Sequence, residues 1–276
     1  MTIVNMEAFL EHLQNEEKAK NTILKYARDV KAFSDWVGER ALTKQTVLEY
    51  KELLCQAYAP ASVNAALASL NGFFVFMERY DLKVKYLKIQ KQIFSSSEKE
   101  MSKSEYERLV STAEKNKNER LALVLQTIAS TGIRVSELSH ITAEAVRRGS
   151  AEIRCKGKYR QVFLPKQLCR ILKEYAKKQK IKSGPVFITK NGKPLDRSNI
   201  WSEMKKLCKK AGVSEKKVFP HNLRHLFART YYKIHKDVVR LADVLGHSNI
   251  NTTRIYTMES GDVHRRQIER LGFLRC

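Results

Sequence analysis

The stretch Glu119–Leu138, ERLALVLQTIASTGIRVSEL, decides how the rest of the chain is read. Its first part, ERLALVLQTIASTGI, is too apolar to lie on a surface as a helix, so it predicts the buried helix of a domain. Gly132 stops that helix, because glycine readily takes the left-handed conformation in which many helices end. Arg134 follows at once. An arginine so placed is held by packed backbone yet can face a cleft, and its planar fork suits two phosphate oxygens or a carboxylate such as Glu137.

Working outward, Ser102 and Glu105 form a possible capping box ahead of the helix YERLVSTAEK. On the other side, from Ala151, the short alternating runs AEIRC and RQVFLP, joined by KGKY, predict a β-hairpin. A helix follows, then a short strand PVFIT with an Asn191-Gly192 turn, then helices to the end. The first ninety or so residues read as helices alone. In TILKYARDVKAFSDWV, Ile23, Tyr26, Val30, Phe33 and Val37 line one face; EAFLEHL, TVLEYKELL and SVNAALASLNGFFVFMERY complete a four-helix bundle, the last capped by Ser62. Between the two regions, KIQKQIFSSSEKE breaks the pattern as a linker does. The expected organisation is a helical domain over residues 1–88, a linker at 89–100 and a second domain with a C-terminal tail over 101–276. The fold class is mainly α with a small β-sheet.

Lysine and arginine number 52 against 29 aspartates and glutamates, a net charge of +23. The excess is spread along the chain and favours a polyanionic partner, nucleic acid before an anionic membrane, since no strongly basic amphipathic helix with exposed aromatics is present. No run of about 18 apolar residues marks a membrane span. The start, MTIVNMEAFLEHLQNEE, lacks the features of a secretory signal, so the cytoplasm is the expected location. Five cysteines, Cys55, Cys155, Cys169, Cys208 and Cys276, form no C-x-x-C pair and have no histidines at zinc spacing, so they read as reduced thiols and no metal or cofactor is expected.

Three clusters carry chemistry. The first is TGIRVSEL, with Arg134. The second is PHNLRH, residues 220–225, where His221 and Arg224 share a helix face while Leu223 points inward. A histidine there can move a proton near neutral pH beside a fixed positive charge. His225 reads as a packing histidine or a support behind the reacting groups, and the histidine spacing does not match a zinc protease. The third is LGHSNINTTRIYT, residues 245–257, which sets His247 behind a glycine and Tyr256 nine residues later.

TGIRVSEL, HNLRH, LGHSN and TTRIYT, in that order, resemble the four signature boxes of the tyrosine recombinases, the phage-integrase and Xer type of site-specific DNA recombinase. The resemblance covers most of the chain, and the helical first part is similar to the family's core-binding domain. It implies that Arg134 is the first catalytic arginine, that His221 and Arg224 are the histidine and arginine of the second box, that His247 precedes the nucleophile and that Tyr256 is the nucleophile. The family's hairpin lysine falls on Cys155-Lys156-Gly157-Lys158, where cysteine replaces the first glycine of a Gly-Lys-Gly pattern. Lys156 is favoured over Lys158 because it directly precedes Gly157.

Cutting a phosphodiester without metal or nucleotide requires fixed donors around a phosphorane-like state, which two arginines and histidines supply. In this reading His221 accepts the proton of Tyr256, Lys156 protonates the departing 5′ oxygen, and His247 gives a hydrogen bond to the phosphate. The product is a 3′-phosphotyrosyl link, and strand exchange proceeds through a Holliday junction. The resemblance also implies double-stranded DNA at specific sites as partner, a homo-tetramer on DNA assembled from monomers, accessory or directionality proteins, no membrane, and a bacterial or archaeal cytoplasm.

Tyr231 and Tyr232 read as core, Tyr159 as a DNA contact, and Arg229, Arg240 and Arg254 as phosphate contacts or solvated faces. In the tail, Val263, Ile268, Leu271, Phe273 and Leu274 are apolar positions that pack either on a neighbouring subunit or on their own domain. Two other classes compete: a type IB topoisomerase, separated by recombination between two DNAs, and a DNA-binding regulator that has lost the chemistry, separated by a covalent adduct at Tyr256.

Overall fold

The computed structural model describes residues 3–89, 100–155, 158–189, 191–256, 265 and 269–271, with the side chains of residues 3–5, 155 and 158 excepted. The chain divides into two compact units, Met1–Lys91 and Gln92–Cys276. The described residues are mainly helical, with one two-stranded sheet. Residues 90–99, most of the expected linker, lie outside the described residues.

In the first unit, α1 (Ile3–Asn15), α2 (Lys20–Val37), α3 (Lys44–Ala57) and α4 (Pro60–Phe76) form around one apolar core. The expected face of α2 is the one that packs: Val30, Phe33 and Val37 are buried, with Ile23 and Tyr26 against them. Phe33 meets Tyr50 and Phe74 edge to face at 5.0 and 5.8 Å, the arrangement that ring quadrupoles favour. Helix α4 begins earlier than Ser62. Pro60 occupies its first turn, where a missing N–H costs nothing, and Ala59 is the N-cap. After a 3-10 turn at Tyr80–Leu82 the chain runs back along α4 with few backbone partners of its own. Two asparagines of α4 take their place: Asn71 bonds both N–H and C=O of Val84 (3.0 and 2.9 Å), and Asn64 does the same for Leu87 (2.8 and 2.9 Å).

The second unit opens with α5 (Lys103–Lys115), whose Ser102–Glu105 capping box is formed in both directions. Helix α6 (Glu119–Thr131) is the buried helix that its composition demands, with Leu121 to Leu125, Thr127 and Ile128 all buried. A 3-10 turn (Val135–His140) and α7 (Ala143–Arg148) lead to the hairpin β1 (Ser150–Cys155) and β2 (Lys158–Phe163), paired antiparallel with Ile153 opposite Arg160. Then come α8 (Lys166–Lys178), α9 (Arg197–Ala211), α10 (Pro220–His235), α11 (Val238–Leu245) and α12 (Ile250–Arg254). The PVFIT segment is not a strand. Pro185 and Pro194 lack the N–H that a ladder needs, and only the isolated bridges Thr142–Pro185 and Ile188–Pro194 form, around Gly192 at φ +73°. No described helix is long and apolar enough to cross a membrane.

Candidate active site

The site is assembled where α6, α10 and α11 end or begin. Helix α6 stops at Gly132, with φ at +65°. A Cβ there would stand 2.7 Å from Phe227 Cε1 and 3.1 Å from Leu245 Cδ2, so α10 and α11 close over a position that only glycine fills. The end of the helix leaves the buried Gly132 carbonyl without an intrahelical partner, and Arg224 Nη1 donates to it at 2.6 Å. Nη2 of the same guanidinium donates to the Leu245 carbonyl at 2.8 Å and meets His247 Nε2 at 2.9 Å. Arg224, 2% exposed, thus ties the ends of two helices to His247. Burial, followed by the charge of Arg134, lowers its pKa to about 10, which leaves it charged at neutral pH.

His247 follows Gly246, the left-handed cap of α11. Its Nδ1 lies 2.8 Å from Thr253 Oγ1. An arginine can only donate, so His247 Nε2 accepts and Nδ1 carries the hydrogen, which it gives to Thr253. Burial and then Arg224, Arg134 and Arg160 bring its pKa down to about 4, in agreement with a neutral ring. In this arrangement His247 has no hydrogen left for a phosphate. The donor expected of it is committed elsewhere because Thr253 and Arg224 fix the tautomer.

Arg134 is 43% exposed in its side chain. Its backbone N–H and Nη1 both bond the buried Glu137 carboxylate, at 2.7 and 2.9 Å, so the ion pair with Glu137 forms while much of the guanidinium side chain stays open to solvent. Arg160 Nη2 adds a third bond to Glu137, at 2.6 Å. Burial raises the pKa of this carboxyl, but the Arg134 N–H and the charges of Arg160 and Arg134 outweigh it and hold the group below its ordinary value.

His221 is exposed in the first turn of α10, one turn before Arg224. Partial desolvation, then Arg224, Arg134 and Arg197, keep its pKa below the ordinary value. His225 lies next to it, ring centroids 4.4 Å apart and edge to face, and meets Tyr256 in the same way at 4.7 Å. The Nε2 of His225 is buried with no hydrogen-bond partner among the described residues. Tyr256, 4% exposed, is seated between His225 and His247 against Ala228, Leu241 and Leu245. Its hydroxyl has no hydrogen-bond partner among the described residues. His225 thus lies between His221 and Tyr256, while His247 stacks on the tyrosine from another side.

Arg134, His221, Arg224, His247 and Tyr256 are brought together in this way. Lys156 and Gly157 lie outside the described residues, between the ends of β1 and β2; Lys158 is the first residue of β2 rather than part of the turn. The sequence reading missed Arg160 altogether. The signal was the hairpin's alternation: Arg160 shares a face with the buried Val162 and Leu164, while Tyr159 and Phe163 are exposed. Arg229, expected at a phosphate or in solvent, instead binds Glu100 and the Met101 carbonyl, anchoring the entry to α5 from α10. Tyr231 and Tyr232 pack against the same small core as Tyr256. Leu271 is exposed, and Val263, Ile268, Phe273 and Leu274 lie outside the described residues.

A buried arginine joining two helix ends to a histidine, with a tyrosine seated on that histidine, occurs here on a mainly helical unit with one hairpin. The chain belongs to the Phage integrase family, whose sequence profile matches residues 99–261, and residues 6–80 match the phage integrase N-terminal SAM-like domain. Tyrosine recombinase XerA of Pyrococcus horikoshii is 30% identical, over 96% of this chain and 92% of its own. Tyrosine recombinase XerD of Halalkalibacterium halodurans is 28% identical, over 92% of each. Among solved structures, a lambda integrase(75-356) dimer bound to a COC' core site superposes with a TM-score of 0.75 at 16% identity, covering 94% of this chain and 96% of that one. XerH bound to its difH substrate gives 0.69 at 20% identity, covering 94% and 82%. At these identities the structural likeness concerns the fold.

Proposed function

We propose that the protein is a site-specific DNA recombinase that cleaves and rejoins duplex DNA through a tyrosine–phosphate link and exchanges strands through a Holliday junction. Tyr256 Oη attacks the phosphorus, His221 takes the phenolic proton, and the 5′ oxygen leaves with a proton from Lys156. The bond to phosphorus is exchanged, not lost, so a 5′ hydroxyl from a second strand reverses the step. Arg134 and Arg224 hold the non-bridging oxygens as negative charge builds. The free Arg134 donors and the surface position of His221 support this division of labour.

The observation that carries the reading is the seat of Tyr256 on His247, itself bonded to the buried Arg224. A buried arginine charge beside two histidines and a phenol suits a reaction at a tyrosine. Residues 1–88 would contact DNA as a separate helical domain, and four copies would assemble on two sites from monomers in the cytoplasm of a bacterium or archaeon, with accessory proteins setting direction.

The experiment is to map covalent adducts on genomic DNA and then place two copies of the mapped site on separate plasmids. Recombinant plasmids are the expected product. Relaxation of supercoils without recombinants would assign the protein to nicking and closing alone.

A further inference from the structure

Among the described side chains, Arg160 is the charged one on the inner face of the hairpin, and its contacts reach two other arms of the site. Nη2 donates to Glu137 Oε2 at 2.6 Å, on the carboxylate that also holds Arg134, and Nη1 donates to the Val244 carbonyl at 2.7 Å. Val244 adjoins Leu245, whose carbonyl holds Arg224. The stem of Arg160 runs under Gly246: a Cβ on that glycine would stand 2.5 Å from Arg160 Cδ and 3.1 Å from Nε. Only 13% of the side chain is exposed.

The hairpin needs such a fixture. Among the described residues it is a two-stranded sheet, a form of marginal stability by itself. Its described apolar inward residues, Ala151, Ile153 and Val162, bury surface, and apolar contact is non-directional, so it holds the hairpin down without fixing how its strands sit against the neighbouring turns. The two directed hydrogen bonds of Arg160 supply that. Lys156 is four residues away on the same hairpin.

We infer that Arg160 is a positioning residue for the leaving-group step: it locks the hairpin that carries Lys156 to the Arg134 turn and to the His247 turn. The inference rests on Lys156 being the acid that protonates the 5′ oxygen. It separates Arg160 from a residue that merely supports the fold, because its loss should be felt at proton delivery and not at attack. Glu137 keeps both bonds from Arg134 when Arg160 is removed, so the phosphate-facing arginine retains its own support.

The test compares nicked suicide DNA substrates with an ordinary 5′ oxygen and with a 5′-bridging sulfur, whose departure needs no proton. Arg160→Ala and Arg160→Lys are expected to slow adduct formation on the oxygen substrate by about 100-fold, the cost of a misplacement on the order of 1 Å. Both should return to within a few-fold of the unaltered protein on the sulfur substrate. Arg160→Met, which keeps the stem and removes the donors, carries the test should the alanine variant not fold.

Equal slowing on both substrates, or no slowing, overturns the assignment of Arg160. Lys156→Ala is run alongside. Its rescue by sulfur without rescue of the Arg160 variants overturns Arg160 alone, whereas its failure to be rescued removes the leaving-group acid and the inference with it.

Discussion

Arg224 and His247 are joined Nη2 to Nε2 at 2.9 Å, and that bond dictates which nitrogen of the histidine carries hydrogen. Because the guanidinium only donates, His247 is a neutral Nδ1–H ring whose hydrogen goes to Thr253. The free protein therefore holds its box histidine in a form that accepts from the site and gives nothing to it. An incoming phosphate that takes the Arg224 donor for itself would release Nε2. Nitrogen NMR of labelled histidine should report the Nδ1–H tautomer at pH 7, and Thr253→Val should keep it, because Arg224 still donates to Nε2. An Nε2–H tautomer in the unaltered protein contradicts the geometry.

Acid should weaken the fold before its carboxylates titrate. His225 and His247 are both brought down to about 4 from 6.5, by burial first and then by neighbouring cations. Between those values the unfolded chain binds protons that the folded one refuses, so stability falls as pH falls from 6.5 toward 4 and has no such slope above 6.5. Tm should drop between pH 7 and pH 5, and His225→Phe should flatten the slope. A level Tm over that range in the unaltered protein contradicts the burial of these rings.

Gly132→Ala forces a side chain into a left-handed position and against Phe227 and Leu245. The strain should cost about 1–3 kcal/mol in denaturant unfolding. The same change moves the carbonyl that holds Arg224, so adduct formation should fall further than the lost stability explains. Unchanged unfolding with full activity would contradict the role given to this helix end.

Glu137→Gln keeps the shape of the side chain and removes the charge between Arg134 and Arg160. Hydrogen bonds to a charged group give about 1.5–3 kcal/mol each, and the half-exposed Arg134 lowers the total, so a loss of about 2 kcal/mol is expected. The measurement is the urea midpoint. A gain in stability would mean that the carboxylate is a burden, not a link.

Much of this was legible in the sequence, for identifiable physical reasons. A helix as apolar as α6 can only be buried, a glycine at its end can only stop it, and Ser102 with Glu105 closes a local box that needs no tertiary partner. The four boxes set five functional side chains at turns and helix starts, positions fixed by nearby residues. What was not legible depends on contacts distant in sequence. Arg160 looks like a solvated strand residue until Glu137 and Val244 are placed beside it. His225 gains its meaning only from Tyr256, which arrives 31 residues later. The start of α4 was misplaced because Pro60 outranks Ser62 as a helix opener, and PVFIT failed as a strand because the prolines around it have no N–H to pair.

The central claim is that Tyr256 is the group that joins to DNA. The direct measurement is the covalent adduct formed on a duplex nicked next to the cleavage point, with the attached peptide located by mass spectrometry, for the unaltered protein and for Tyr256→Phe. The account predicts an adduct on the peptide containing Tyr256 and none with Tyr256→Phe, with DNA binding alike in the two. An adduct that survives in Tyr256→Phe would contradict it.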